Sequence, residues 1–403
     1  SAPAHPGSHT MAELRKAGLS LRAGDDEFEQ DVATDLMPPP DFKLDNLDNV
    51  PLASGSIAQV HTAFCGAERV VVKVRHPRVA EELLLDFELM RFVAQLAHDW
   101  VPALRWLNAP ATVTQFEAAM VGQCDLTKEA EHLDAFRFNF RRKSAWMVFP
   151  RVLYATPGVL VETFEHGELA SDFVRRAAEV VQKDAHFVIA RGEDVYLQML
   201  LVDNFMHADL HPGNLVFRKS GLLGKPQLVL LDGGMAAHLS VEERRNFIGL
   251  LQSIGDGDGG SIADRVLRFS RKPRGDAAAF STDVQAMCSE KCRGYGTGLD
   301  IGEVVREIMQ LMYKHSVSID GNYATLIANM MCLEGMARDL EPKFNVLDVA
   351  YPFLRAHQLL GDRVFQRAFS VAQWVVPLSV WELTYRLTLY AALHGETLKR
   401  FQI

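Results

Sequence analysis

One loop and one short strand constrain this chain more than any other part of it. The loop His207–Asn214 places Asp209 and Asn214 five residues apart around a Pro-Gly pair, and Asp232 follows an apolar run and precedes two glycines. Carboxylate and amide oxygens are ligands that Mg²⁺ prefers. The layout predicts a phosphoryl-transfer site, in which Asp209 faces the nucleophile while Asn214 and Asp232 hold Mg²⁺ against nucleotide phosphates.

Three upstream features supply the other parts of such a site, in the order that kinase folds use. Small residues that would let backbone N–H groups approach phosphates precede a predicted strand, at Ala53, Ser54, Gly55 and Ser56. Lys73 stands among β-branched residues, where it could reach the same phosphates, and Glu129 in a helical pattern could orient it. Because a lone lysine or glutamate is usually a solvated residue, the prediction depends on all of these features occurring together in this order along the chain.

A hinge between two lobes is expected at the end of a further predicted strand, near residues 158–164. An earlier strand is expected near residues 147–150. In the hinge, over Glu162–Gly167, backbone groups, among them those of Glu162 and Phe164, could bind the edge of an adenine. The predicted cofactors are therefore ATP or ADP, together with Mg²⁺.

The order of elements predicts an α+β, atypical protein-kinase-like fold, with a small β-rich N-lobe that carries inserted helices and a larger, mainly helical C-lobe. β-Branched residues favour strands at 57–64 and 69–75. Apolar spacing favours helices over 79–98 and 112–140. A hairpin of short strands, 215–217 and 228–231, would present Asn214 and Asp232 close together.

Four segments follow from this pattern. Residues 1–43 are an acidic, Pro-rich segment expected to be partly disordered, 44–165 the N-lobe and 166–360 the C-lobe. Residues 361–403 form an apolar C-terminal helical extension. Its longest uncharged run, Ala368–Trp381, has 14 residues, which is short of the ~20 that span a bilayer. A buried helix pair or a peripheral docking surface for a membrane or partner is expected there.

Composition argues against nucleic-acid binding, a disulfide-stabilised fold and a zinc site. A net charge of −9 without a basic stripe argues against nucleic acid as a partner. Five cysteines form no disulfide framework in a chain of this length. Cys288 and Cys292 would share a helix face, but no nearby residues complete the four ligands of a zinc site.

Four stretches resemble the UbiB/ADCK (aarF-domain-containing) family of atypical kinase-like proteins. They are Ala53–His61, Val72–Pro77, Asp125–Ala130 and His207–Asn214. Residues 203 to about 357 are most similar to the second animal ADCK paralogue. The resemblance implies a role in coenzyme Q or organellar lipid metabolism, a lipid or quinone-precursor ligand, and a mitochondrial location at the matrix or inner membrane, with a plastid as the alternative.

The chain departs from ordinary protein kinases in ways that argue against phosphorylating proteins in trans. Ala208 precedes Asp209 where an arginine would read a phosphorylated activation loop, and Asp232-Gly233-Gly234 lacks an aromatic residue. No Ala-Pro-Glu follows at the usual distance. The family's Lys-x-Gly-Gln sequence is not found, and its paired acidic motif reads Gln123-Cys124-Asp125.

Three functions remain open from the sequence. The first is an ATP- and Mg²⁺-dependent atypical kinase or ATPase that supports quinone-lipid biosynthesis. The second is a pseudokinase scaffold that uses nucleotide binding as a conformational switch for membrane or biosynthetic partners. The third is a metallohydrolase built on His207-x-Asp209-x-His211, which would leave Lys73 unexplained.

Overall fold

The structure, a computed structural model, describes residues 4–22, 42–101, 109–221, 224–269, 276–292, 299–342 and 344–375. These residues form two compact units. The first contains the described residues up to Leu96 together with Val113–Gly167 and Val229–Met235, and the second contains the remainder. The predicted α+β class is confirmed, because a sheet organises the first unit whereas helices make up most of the second.

An antiparallel sheet forms the centre of the first unit. The strands of the first unit are β1 Ser20–Arg22, β2 Lys43–Asp45, β3 Ala53–Ser54, β4 Ala58–Cys65, β5 Glu68–Arg75, β6 Met147–Val148, β7 Val152–Ala155 and β8 Val159–Thr163. The sheet runs in the order β1-β2-β4-β5-β8-β7, with β3 paired to β4, and only β1 and β2 are parallel. Strands predicted at 57–64 and 69–75 are confirmed as β4 and β5, whereas β7 was not predicted.

Four helices accompany these strands along the chain: α1 Gly7–Lys16, α2 Val79–Trp100, α3 Ala109–Gln123 and α4 Leu126–Asn139. The prediction of one helix over residues 112–140 was wrong, because α3 and α4 are separate. Asp125 is extended, and its carboxylate accepts a hydrogen bond from the backbone N–H of Thr127, which makes it the N-cap of α4. This cap starts a new helix at Leu126.

The N-terminal segment contributes to the core of the first unit. Leu14 and Leu19 pack with Val70 and other sheet residues, and the Tyr154 hydroxyl donates to the Ala17 carbonyl at 2.7 Å. Within the segment 1–43, the residues 7–19 are thus folded against the sheet, because apolar side chains such as Leu14 and Leu19 are buried there. Residues 23–41, with the acidic and Pro-rich stretch, lie outside the described residues.

The second unit is mainly helical. Its strands are β9 Glu168–Leu169, β10 Met206–His207, β11 Leu215–Ser220, β12 Lys225–Leu230 and β13 Ala236–Ala237. Its helices are α5 Ala170–Arg175, α6 Gln182–Leu197, α7 Val241–Asp256, α8 Gly259–Leu267, α9 Ala277–Lys291, α10 Ile301–Lys314, α11 Gly321–Leu340, α12 Val346–Leu360 and α13 Asp362–Val375. The predicted hairpin is confirmed, because β11 pairs with β12.

The C-terminal extension predicted over 361–403 is described only as far as α13, and its remaining residues lie outside the described part of the chain. Among the helices that the structure describes, none is long and apolar enough to cross a membrane.

Candidate active site

Lys73 and Glu129 form a buried ion pair in the first unit. Lys73 projects from β5 with a side chain only 13% exposed, and its ammonium donates to the carboxylate of Glu129. Glu129 lies in the first turn of α4. The Asp125 cap fixes where that turn begins, and therefore which residue of α4 faces the sheet. The structure thus brings together the lysine and the glutamate that the sequence placed in one site.

A second carboxylate, that of Glu162, lies 3.1 Å from the Lys73 ammonium. The strand register explains this contact, since Lys73 lies opposite Leu160 while Glu162 lies opposite Val71. Lys73 and Glu162 are therefore diagonal neighbours on one face of the sheet, within reach of long side chains. One oxygen of Glu162, Oε2, is buried without a hydrogen-bond partner among the described residues.

An adenine contact through backbone groups of Glu162–Gly167 stays a prediction. The Glu162 side chain itself is buried beside Lys73. The backbone N–H of Phe164 donates to the carbonyl of Arg69 at 3.1 Å, and the Arg69 guanidinium lies 4.1 Å from the centre of the Phe164 ring. That N–H is already hydrogen-bonded within the sheet, so it is not free to donate to an adenine.

Burial and charge oppose each other at Lys73. Burial lowers the pKa of Lys73, but Glu129, Glu162 and Asp232 together raise it well above its usual value. Lys73 is therefore charged. Burial raises the pKa of Glu129 despite the attraction of Lys73. Burial also raises the pKa of Glu162, to about 8, because Lys73 offsets only part of that cost.

The segment Asp232–Gly234 is held against α4. The N–H of Gly233 donates to the Glu129 carboxylate, and Nδ1 of His132 donates to the Gly233 carbonyl at 2.8 Å. A Cβ atom at position 233 would lie 2.9 Å from Cγ of Leu133. This contact leaves no room for a side chain, which explains why glycine stands where protein kinases carry an aromatic residue.

The turn of small residues at 53–56 lies at the edge of the sheet in the first unit. Ala53 and Ser54 form β3, which pairs with β4. The N–H of Gly55 donates to the Ala58 carbonyl at 2.9 Å, so it closes the turn. Ala53, Gly55 and Ser56 are exposed, and this surface remains accessible to a ligand.

In the second unit, the loop that carries Asp209 and Asn214 is folded by its own polar groups. The Asn214 amide donates to the Asp209 carbonyl at 3.1 Å, which leaves the amide oxygen as an acceptor. Nδ1 of His207 accepts from the N–H of Asp209 at 3.1 Å, and Nδ1 of His211 accepts from the N–H of Gly213 at 3.0 Å. Both histidines therefore shape the loop.

Asn329 on α11 anchors this loop and was missed by the sequence analysis. Its oxygen accepts from the N–H of Leu210 at 3.1 Å, and its amide donates to the His207 carbonyl at 2.6 Å. The side chain is buried. No nearby sequence signal marks Asn329, because it lies more than a hundred positions from the loop in a helix of ordinary composition.

The described residues contain no group of three or more His, Cys, Asp or Glu side chains arranged to hold a metal ion by themselves. This finding gives the metallohydrolase interpretation no support, since His207 and His211 use Nδ1 inside the loop. A metal bound by the described residues would therefore take further ligands, such as nucleotide phosphates or water.

The chain is similar to known proteins over most of its length. Residues 22–266 match the ABC1 atypical kinase-like domain, and residues 297–345 match the UbiB helical domain. The chain is 29% identical to the probable serine/threonine-protein kinase abkC of Dictyostelium discoideum, over 80% of this chain and 56% of that protein. It is 28% identical to a mitochondrial ABC1 family protein of Schizosaccharomyces pombe, over 77% of this chain and 55% of the relative. It is 26% identical to the probable protein kinase UbiB of Vibrio cholerae, over 85% of this chain and 63% of that protein. The chain thus spans little more than half the length of the first two relatives.

Proposed function

The chain belongs to the ABC1 atypical kinase-like family, and from this premise we propose that it is an ATP- and Mg²⁺-dependent kinase-like ATPase or phosphotransferase. The observation that carries the proposal is the buried pair of Lys73 and Glu129, with Asp232 close enough to raise the pKa of the lysine. A buried ammonium aligned by a carboxylate is the group that kinase folds use to hold nucleotide phosphates.

The remaining residues fit the chemistry of a magnesium nucleotide. Asp232 and Asn214 would supply hard oxygen ligands to the metal, and Asp209 would orient the nucleophile or accept its proton. Bound Mg²⁺ supplies neutralisation of the charge on the phosphates. Lys73 would hold the phosphates, and the exposed turn at 53–56 would cover them.

The acceptor is proposed to be something other than a peptide. Ala208 and Gly233 replace groups that serve peptide phosphorylation, and Leu133 leaves no room for a side chain at 233. Relatives carry the names UbiB and mitochondrial ABC1 family protein. Together with the UbiB/ADCK resemblance, they motivate a role in quinone-lipid biosynthesis within mitochondria, with a lipid or phenolic quinone precursor as ligand.

Thermal denaturation tests the nucleotide site directly. Mg²⁺–ATP is expected to raise the Tm of the wild type but not that of Asp232→Asn, which removes a metal ligand without changing shape. Asp134→Asn is the matched control, because Asp134 on α4 is 64% exposed and should respond like the wild type. Absence of any nucleotide effect on the wild type at millimolar concentration would refute the proposal.

A second candidate is a scaffold that binds nucleotide without turning it over. The position of Glu162 favours it, because a second carboxyl group beside Lys73 departs from the single lysine–glutamate pair by which kinase sites align phosphates for transfer. ATP turnover distinguishes the candidates when measured with and without lipid vesicles and quinone-precursor phenols. Turnover that disappears in Asp209→Asn supports the enzyme, whereas binding without turnover, with cellular function retained in Asp209→Asn, supports the scaffold.

A further inference from the structure

A network of buried hydrogen bonds connects α1 with the turn at 53–56. Four of its side chains are only 1–8% exposed in the first unit, namely His5, Thr10, Gln59 and His61. Burying so many polar groups is costly unless each finds a partner. A fifth side chain, that of His76, lies half-buried just after β5 and extends the network to the turn.

The carbonyl of Gly55 fixes which nitrogen of His76 carries a proton. A carbonyl only accepts hydrogen bonds, so Nε2 of His76, at 3.1 Å, must be the donor. In the neutral ring Nδ1 of His76 is then an acceptor, and it lies 2.8 Å from Nδ1 of His5. His5 therefore donates from Nδ1 and accepts at Nε2, where the Thr10 hydroxyl lies at 2.9 Å.

The other end of the network is fixed in the same way. Nδ1 of His61 lies 2.7 Å from the Asp48 carbonyl and must donate, so its Nε2 accepts from the Gln59 amide at 2.8 Å. The Gln59 oxygen then accepts from the backbone N–H of His5 at 2.8 Å. Burial, followed by the neighbouring histidines, lowers the pKa of His5 to about 4. His5 is therefore uncharged at neutral pH, as this pattern of donors requires.

We propose that His5 and His76 are positioning residues of the nucleotide site, which hold the Ser54–Gly55 turn in the shape that phosphates require. The inference rests on the proposed function, because it requires this turn to bind phosphates. Nε2 of His76 also lies 3.5 Å from the Ser54 hydroxyl, so one ring contacts both residues of the turn. His5 lies outside residues 22–266 that match the kinase-like domain, so the comparison by itself does not associate it with the site.

Removing the Nδ1 donor of His5 should weaken nucleotide binding, although His5 acts only through His76 and the turn. In His5→Ala, Nδ1 of His76 loses its partner and the ring is free to leave the Gly55 carbonyl. The Kd for Mg²⁺–ADP is expected to rise about three- to tenfold, the usual effect of one hydrogen bond. KM for ATP should rise equally with kcat unchanged. His5→Asn places an amide donor near the position of Nδ1 and should restore most of the affinity.

Two matched variants separate positioning from loss of stability. Nε2 of His9 donates to the Arg75 carbonyl at 2.9 Å, and its ring packs edge-on against His5 without joining the hydrogen bonds that reach Gly55, so His9→Ala should change the Kd far less than His5→Ala. Leu14 is buried in the apolar core of the same unit, so Leu14→Ala should lower the Tm and leave the Kd unchanged. Each variant is measured below its own Tm.

Calorimetric titration of Mg²⁺–ADP into the whole chain tests whether His5 and His76 position the turn. An unchanged Kd in His5→Ala overturns the inference, as does an equal rise in Leu14→Ala at a similar loss of Tm. If His5→Ala does not fold, His76→Ala replaces it and should show the same rise, because His76 is half-buried. A wild type that binds no nucleotide overturns the proposed function as well. A wild type that binds, beside an unchanged His5→Ala, overturns only the positioning role.

Discussion

Replacing Glu162 by glutamine should stabilise the protein in alkaline solution. Glu162 is 3% exposed, and burial raises its pKa from 4.5 to about 8 even though Lys73 lies 3.1 Å away. The folded protein therefore keeps this carboxyl protonated at a pH where the unfolded chain has released the proton. The amide of Glu162→Gln imitates the protonated form and never ionises.

The sign of the effect follows from proton linkage. Below pH 4.5 the carboxyl is protonated in both states, and its contribution to stability is fully present. Between pH 4.5 and about 8 only the unfolded chain releases the proton, so the free energy of unfolding falls as the pH rises. A pKa shift of this size corresponds to a change of about 5 kcal/mol at most in the free energy of unfolding. Because the Lys73 ammonium lies beside the carboxyl, we expect the free energy of unfolding to fall by about 2–5 kcal/mol.

Urea denaturation at pH 5, 7 and 9 measures the difference between the variant and the wild type. The two should be similar at pH 5, and Glu162→Gln should be more stable by a few kcal/mol at pH 9. Glu68→Gln is the control, because Glu68 on β5 is 48% exposed and pairs with Arg151 at 2.6 Å. Its effect should stay within about 1 kcal/mol at each pH. A variant of Glu162 that is less stable than the wild type at pH 9 would refute the reasoning, since the ionised pair would then be net stabilising.

Three further changes test other parts of the structure. Lys73→Met leaves buried carboxyls without their cation, so it should cost about 3–5 kcal/mol at pH 8 and less at pH 5, measured by urea denaturation. Asn329→Leu leaves the Leu210 N–H and the His207 carbonyl without this partner, so it should cost about 2–4 kcal/mol and lower ATP turnover more than ATP binding. Burial, with Asp300 next in importance, raises the pKa of Glu334 to about 7. Glu334→Gln should therefore gain up to about 3 kcal/mol over the wild type at pH 8 and little at pH 5, in the same assay.

The sequence predicts those parts of the fold where local chemistry decides the outcome. β4 and β5 are recognisable because β-branched residues dominate them, and the α11-anchored loop at 207–214 has its own Pro-Gly turn. The break between α3 and α4 was missed although its signal, Asp125, was visible. Apolar residues continue at helical spacing on both sides of Asp125. This periodicity favoured one continuous helix, although a single capping residue indicated a break.

Contacts between distant elements could not be predicted in the same way. All five residues of β8 are buried, so no alternation of polar and apolar residues shows that Glu162 shares a face with Lys73. Only the pairing of β5 with β8 establishes that contact. Asn329 is a similar case, because nothing in the composition of α11 indicates that its amide completes a loop elsewhere in the second unit. In both cases the information lies in the register or packing of two elements.

The protonation state of Glu162 also bears on nucleotide binding, which both candidate functions require. With Glu162 neutral, Lys73 and Glu129 form a balanced pair beside Asp232, and the ammonium can exchange a carboxyl group for a phosphate. With Glu162 ionised, one ammonium faces two carboxylates in a buried site, and an incoming phosphate adds charge that Lys73 can no longer offset. A pKa of about 8 for Glu162 puts the neutral form in the majority at physiological pH. The second carboxylate is therefore compatible with nucleotide binding, and it becomes an obstacle only when the solution is alkaline.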